Sequence, residues 1–252
     1  MMKYSSRFWL YAPTLAFLAI AAFVMFHWWT AANAFEKKLA ALKGHEAVPG
    51  IMLDWSAVTV GGFPFRIDAD FTNLSVKGAG AHGPFAWSSE KFALHALTYG
   101  RTQDVFEAAG KQQVRWTDAS GGDHAAAFLP ASFHASAITD GRGLVRGDID
   151  ILDAGGKDFI ADRLQLHMRR DPDGHDLDLM LRADGFKGGR IDKKLVQVYA
   201  TLTKSAVFAD LLRGEAGWPQ ASAKWRAAGG AAKLSQITAP GLSADALLSP
   251  FY

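Results

Sequence analysis

Three aspartates, Asp148, Asp150 and Asp153, precede Gly155-Gly156 at spacings that could offer oxygen ligands to calcium. Residues two apart also share one face of an extended strand, and here Ile149 and Ile151 take the opposite face. No later acid supplies the bidentate ligand that closes a calcium loop, so the set reads as a solvated strand face. Asp68 and Asp70 read in the same way rather than as a general acid/base pair. The eight histidines, His27, His45, His82, His95, His124, His134, His167 and His175, form no pair at helical metal-ligand spacing. Gly78-Ala79-Gly80-Ala81-His82-Gly83 has the letters of a dinucleotide fingerprint, but Pro84 and an aromatic run stand where a helix N-terminus should receive the pyrophosphate. Gly241-Leu242-Ser243-Ala244-Asp245 lacks the closing glycine of a nucleophile elbow. With no cysteine, thiol nucleophiles, disulfides and thiolate metal sites are excluded together. These patterns predict no catalytic residue, no metal and no cofactor, with an exported hydrolase kept as the enzymatic alternative.

What the residues specify instead is placement. Residues 9–29 contain no Asp, Glu, Lys or Arg and are bracketed by Lys3 and Arg7 on one side and by Glu36, Lys37 and Lys38 on the other. As a helix rising about 1.5 Å per residue, this stretch crosses the roughly 30 Å hydrocarbon core of a bilayer. Trp9 and Tyr11 at one end, and His27, Trp28 and Trp29 at the other, put half-polar rings at the headgroup layers. Lys3 and Arg7 against Lys37, Lys38 and Lys43 leave the positive-inside count undecided. The short N-terminal tail predicts a signal-anchor with the large domain exported. Cleavage after Ala32-Asn33-Ala34 is the alternative, although the apolar stretch is longer than a typical signal core. A net charge of +2 without a basic block argues against nucleic acid as a partner, and 49% hydrophobic residues suffice for a folded domain.

Residues 31–43 extend the helix as a stalk, with Phe35, Leu39 and Leu42 on one stripe, and Gly44 then Pro49-Gly50 stop it. The expected role of this stalk is a spacer, with a seam for a partner helix as the alternative. From Ile51 the period changes to two. Residues 51–58 pair with residues 65–72 through a Gly61-Gly62-Phe63 loop, placing Trp55 opposite Ala69 and Leu53 opposite Phe71. Further strands are expected in residues 92–99, 114–116, 127–138, 144–152 and 159–168, with turns at Gly78-Ala79-Gly80, Gly121-Gly122, Gly141-Arg142-Gly143 and Gly155-Gly156. Residues 163–182 form a hairpin about an Asp171-Pro172-Asp173-Gly174 turn. Leu164, Leu166 and Met168 then face Leu177, Leu179 and Leu181. On the other face Arg169 meets Asp176, His167 meets Asp178, and Arg163 meets Arg182. Residues 195–202 read as a strand, followed by a helix from Ser205 to Arg213, a second from Pro219 to Gly229-Gly230, and a strand over residues 233–238.

Gly61-Gly62-Phe63-Pro64-Phe65-Arg66-Ile67, behind an N-terminal anchor and a strand bearing Trp55, resembles the proteobacterial domain-of-unknown-function family 2125. Trp225-Arg226-Ala227-Ala228-Gly229-Gly230 resembles the C-terminal half of that family. Segments like the first also occur in exported families that resemble the AsmA group. The resemblance implies an inner-membrane-anchored, periplasmic, β-rich domain of the cell envelope without an established reaction. On the residues themselves, Gly62, Phe63, Pro64, Phe65 and Arg66 read as a tight turn that gives Phe63 and Phe65 to the core while Arg66 points away, toward an acidic partner or a lipid headgroup.

The expected fold is thus α+β and mainly antiparallel β. Residues 1–30 are a cytoplasmic tip and transmembrane anchor, residues 31–50 a helical stalk, and residues 51–252 a curved or partly closed antiparallel sheet with a few late helices. The expected function is non-enzymatic. An apolar sheet face is offered to lipid acyl chains or to another envelope protein, with a structural or assembly module of closed core as the alternative.

Overall fold

The computed structural model describes residues 6–79, 83–97, 103–157, 159–188, 191–212 and 215–238. It begins with helix α1 (Ser6–Leu42), 37 residues long. At 1.5 Å per residue this is about 55 Å, so residues 9–29 already match a bilayer core and more than three turns are left beyond it. Among the described residues it is the one helix long and apolar enough to cross a membrane. Leu10, Phe17, Ile20 and Phe23 lie exposed along it. Gly44, with φ +73°, turns the chain out of the helix.

Among the described residues thirteen strands follow: β1 (His45–Val48), β2 (Ile51–Asp54), β3 (Ala57–Gly61), β4 (Arg66–Ala79), β5 (Pro84–Leu97), β6 (Gln103–Thr117), β7 (Asp123–Leu129), β8 (Ser132–Asp140), β9 (Gly143–Gly156), β10 (Phe159–Arg170), β11 (Leu177–Gly188), β12 (Ile191–Leu202) and β13 (Ala232–Thr238). They make one sheet in the order β1-β2-β4-β5-β6, then β7 and β8 end to end, then β9-β10-β11-β12-β13, with β3 continuing the place of β2 beside β4. The named strands pair antiparallel throughout, as short hairpin connections require.

One face of the sheet is apolar across its whole width. Ile67, Ala69 and Phe71 on β4 adjoin Leu94 and Phe92 on β5, then Phe106 and Ala108 on β6, and then Ala135 and Phe133 on β8. Ile149 and Ile151 on β9, Leu166 and Leu164 on β10, Leu181 and Ala183 on β11, and Val198 and Val196 on β12 continue it. The last turns of α1 cover its N-terminal third: Phe35, Leu39 and Leu42 pack with Trp55, Phe71 and Leu74. That stretch of helix is therefore part of the domain core rather than a free spacer, because its apolar stripe finds its partner within the same chain. Residues 45–48, expected in the stalk, form the first strand.

The long strands do not keep a single phase. Apolar positions step by two up to Phe71 and then by three to Leu74, and the same three-residue step separates Ile151 from Ala154, Ala161 from Leu164 and Ala183 from Phe186. In three of these strands the step falls at a residue with left-handed backbone, Asn73 (φ 53°), Asp153 (φ 52°) and Gly185 (φ 60°), and in β6 Gly110 (φ 72°) lies between the buried Ala108 and Gln112. Those residues are nearly in register. Asn73 lies across from Glu90, a Cβ on Gly110 would stand 2.5 Å from Glu90 Oε2, and Asp153 lies across from Asp162, whose carboxylate crowds Gly185. The break between β2 and β3 at Trp55-Ser56 and the break between β7 and β8 at Pro130 continue the line, with Asn73 Nδ2 donating to Ser56 Oγ at 3.1 Å. The sheet thus carries a transverse crease, and β4, β9, β10 and β11 re-aim their apolar side chains to the same face on both sides of it.

The apolar face is the concave one. Trp87 on β5 and Phe133 on β8 stand two strands apart, as do Phe128 on β7 and Phe159 on β10, yet their ring centroids lie only 6.3 and 5.8 Å from each other. Strand spacing alone would separate their backbones by about 9.5 Å. After β12 come a 3₁₀ turn (Ser205–Phe208), α2 (Ala209–Leu212) and α3 (Trp218–Ala227), as the sequence predicts. Gly217 packs against the Pro49 carbonyl at the tip of the β1–β2 hairpin, so the sheet margins approach each other there. Phe208 stacks on Trp218, and the Trp225 indole donates to the Thr203 carbonyl at 2.6 Å, which holds α3 against the end of β12.

Two predicted registers are corrected. Val60, not Trp55, lies opposite Ala69, and Val58, not Leu53, lies opposite Phe71, because the bend at Trp55-Ser56 divides the expected single strand and β2 pairs further along β4. In the β10–β11 hairpin the faces are as expected but the pairing is shifted by two: Arg169 faces Asp178, His167 faces Met180 and Arg163 faces Asp184. The connection spans residues 171–176, in which the Asp171 carboxylate accepts the backbone N–H groups of His175 and Asp176 at 2.8 and 3.1 Å. This longer loop removes the like-charge Arg163–Arg182 pairing. Gly155-Gly156 belongs to the end of β9 rather than to a turn. The expected turn at residues 78–80 lies partly outside the described residues, as does Tyr99, while Gly78 and Ala79 still belong to β4.

Candidate functional site

Two regions of the structure gather residues suited to binding. The first is the junction between α1 and the Gly62-Phe63-Pro64-Phe65-Arg66 segment. Gly62 has φ +94°, and a Cβ there would stand 2.7 Å from the Arg66 carbonyl oxygen, so only glycine fits the corner. The Arg66 backbone N–H closes the corner on the Gly62 carbonyl at 3.1 Å, and the Phe63–Pro64 bond is cis. The Trp28 indole N–H donates to the Arg66 carbonyl at 2.9 Å, and the Trp28 ring meets Phe63 edge-on at 5.5 Å. The corner is therefore seated on α1 at its second aromatic cluster. Phe63 and Phe65 are 53% and 59% exposed, which corrects the expectation that they enter the core. Ile67 and Ala69, just beyond them on β4, take the core positions instead. The Arg66 guanidinium lies on the polar side and donates to Asp68 Oδ2 at 2.9 Å, while Asp68 Oδ1 lies 2.7 Å from His95 Nδ1. Of the expected interface residues, Trp29 stands beside Trp28 and Phe63 around one hollow, while Trp9 and Tyr11 lie exposed near the other end of the helix.

The second region is the concave apolar face itself. Between α1 and β4–β6 it opens a hollow of about 340 Å³ lined by Phe35, Lys38, Ile67, Leu94, Asp104 and Phe106. Further along, past the reach of α1, Leu181 sits in the middle of β11 between Leu166 and Val198 and is still 47% exposed. Leu164, Leu166, Leu177, Leu179, Val198 and Ala200 around it are half-buried. The short α2 and α3 pack against each other and the adjoining 3₁₀ turn, and α2 also reaches β9. Sequence reasoning placed Leu177, Leu179 and Leu181 on this face but missed Lys38 and Asp104. Lys38 falls outside the apolar stripe of α1, and nothing in the local pattern around Asp104 marks it.

The opposite, convex face is ionic. Arg163 bridges both oxygens of Asp150 at 2.7 Å, and Arg146 and His167 converge on Asp148 at 2.7 and 2.6 Å. The Arg163 hydrogen bonds pull the Asp150 carboxyl below its usual range. Burial pushes Asp148 upward, but the His167 and Arg146 contacts outweigh it and leave this carboxyl low as well. At the end of the sheet Arg170, its side chain only 10% exposed, pairs with Asp140 and holds that carboxyl down at about 2. The aspartates that resembled calcium ligands are thus partners of arginine and histidine on a strand face, with Asp153 set apart in the crease. Asp68 likewise pairs with Arg66 and His95, and Asp70 is exposed beside it on β4. Residues 241–245 lie outside the described residues. Among the described residues no group of three or more His, Asp or Glu side chains converges as metal ligands.

A long apolar N-terminal helix carrying a creased, concave antiparallel sheet, apolar within and ionic without, defines the class of protein. The chain belongs to the family described as "Uncharacterized protein conserved in bacteria (DUF2125)", whose pattern matches residues 28–247, a span that takes in both the Gly62–Arg66 corner and the Trp225–Gly230 segment. No curated protein and no solved structure matches the chain.

Proposed function

We propose that this protein is a non-enzymatic component of the cell envelope, anchored in the inner membrane by α1, with its sheet in the periplasm and its concave face holding lipid acyl chains. The observation that carries the reading is Leu181: a leucine in a wide apolar face, two strands in from the β13 edge and flanked by Leu166 and Val198, with nearly half its surface open. Soluble folds close such a face with helices or a second sheet, because each buried leucine is worth about 2 kcal/mol. Here α1 covers one third, and although the short α2 touches β9, Leu181 on β11 stays nearly half open. An acyl chain is flexible, apolar and narrow enough to lie along a strip of Leu, Ile and Val without asking for hydrogen bonds. The ionic convex face needs no cover, since its charges are paired in place and open to water.

The test is a titration of the full chain in detergent with a fluorescent phosphatidylethanolamine. Leu181→Arg should lower affinity at least tenfold while leaving the thermal midpoint within a few degrees, because the side chain is half-exposed. Equal affinity for both proteins overturns the reading. Alkaline phosphatase fused after Tyr252 should be active if the sheet is exported; an intact but inactive fusion overturns the placement.

A further inference from the structure

The Gly62–Arg66 corner leaves two phenylalanines exposed at the one place where exposure to water is least expected, directly against the apolar helix. Phe63, Trp28, Trp29, Phe26, Met25 and Ala22 bound a hollow of about 500 Å³. From Trp28 down to Ala22 is six residues, about 9 Å along the helix axis toward the middle of the span. The flank of α1 that faces this hollow is continuous with the exposed apolar surface that hydrocarbon must cover if the helix is an anchor. Phe63 therefore stands at the height of the aromatic cluster and reaches below it, and Phe65, two residues on and 59% exposed, shares that corner. Arg66 then begins β4, its Nε donating to Asp68 Oδ2, so the first charge of the strand follows the two rings in the chain and is paired within the protein.

We propose that Phe63 and Phe65 form a second membrane contact: the corner inserts both rings into the lipid leaflet where α1 leaves it. This rests on the anchor reading given above. A single helix fixes a domain to the bilayer but leaves it free to tilt and swivel. A pair of aromatic rings inserted beside the helix, at the boundary between headgroups and acyl chains, fixes a second point and sets the angle of the sheet. The Trp28 hydrogen bond to the Arg66 carbonyl makes helix and corner one unit, so the rings enter at a defined depth. Since β4 begins at this corner, and the hollow beside Phe35 and Ile67 lies directly above it, the concave face is held open toward the leaflet.

The chain has no cysteine, so single cysteines report cleanly. The full chain is placed in nanodiscs of phosphatidylethanolamine and phosphatidylglycerol and carries an environment-sensitive fluorophore at Phe63→Cys, Phe65→Cys, Phe17→Cys within the span, or His134→Cys on the convex face. Spin-labelled lipid should quench positions 63 and 65 to at least half the extent seen at 17, and 134 should be unaffected. Quenching at 17 with none at 63 and 65 overturns the second contact and leaves the anchor standing. Absence of quenching at 17 overturns the anchor and this proposal together. Hydroxyl-radical footprinting of the unmodified chain in the same discs gives an independent reading. Phe63 and Phe65 should be oxidised about as slowly as Phe17, the same side chain within the span and likewise exposed on the protein; oxidation several-fold faster than Phe17 overturns the contact.

Discussion

The Trp28 indole N–H donates to the Arg66 carbonyl oxygen at 2.9 Å across 38 residues of chain, and this one bond ties the helix to the start of the first long strand. It replaces the flexible joint expected of a spacer with a fixed one. Trp28→Phe retains the ring against Phe63 but removes the donor. Denaturant unfolding of the detergent-solubilised full chain should show a loss of about 0.5–1.5 kcal/mol, the net worth of a single hydrogen bond. An unchanged midpoint would mean that the bond does not hold the joint.

The crease makes a sharper demand. Gly185 has φ +60° and stands against the Asp162 carboxylate, so Gly185→Ala adds both a left-handed alanine and a contact that Asp162 must swing away from. Since a flexible carboxylate can move and the backbone cannot, the backbone term dominates, at about 1–2 kcal/mol. The same substitution at Gly141, which has open space around it and no positive φ, should change stability by less than half as much in the same unfolding assay.

Acid should loosen the end of the sheet. The Asp140 carboxyl titrates at about 2 in the folded chain, held there first by the Arg170 hydrogen bond, against about 3.9 when unfolded. The folded state thus binds fewer protons over that interval. The resulting stability is fully present above about pH 5 and is lost as pH falls through about 2. Asp150, lowered by Arg163, acts in the same direction. Thermal midpoints measured from pH 7 to pH 2 should fall below pH 5, and Asp140→Asn should flatten that fall. A variant with the same acid slope as the parent would contradict the assignment.

The parts of this fold that were legible in the sequence are those set by local period and punctuation. The long apolar N-terminal helix, its end at Gly44, most strands, both late helices and the faces of the β10–β11 hairpin follow from apolar spacing and from Gly, Pro and Asp at the turns. The departures from expectation have different physical origins. Alternation was carried through Trp55-Ser56 without a break, although the apolar residues change phase there, as they do at Asn73, Asp153 and Gly185. A step of three inside a run of twos, at a residue tolerant of left-handed backbone, was the signal of the crease. The hairpin register was lost for a different reason, because Asp171 can cap either a four-residue or a six-residue loop and only tertiary structure chooses between them. At the corner, a tight turn read from the sequence alone gives Phe63 and Phe65 to the core, whereas both are exposed. Nothing local reveals that the apolar helix α1 stands beside them.

The central claim is that the open concave face holds acyl chains, and a photo-crosslinking amino acid in place of Leu181 in the full chain, irradiated in intact cells, tests it most directly. The same group in place of Gln165, on the convex face of β10, serves as the reference. A lipid-sized mass added at position 181 and absent at 165 is the predicted result. Equal labelling at both positions, or protein adducts alone at 181, would contradict it.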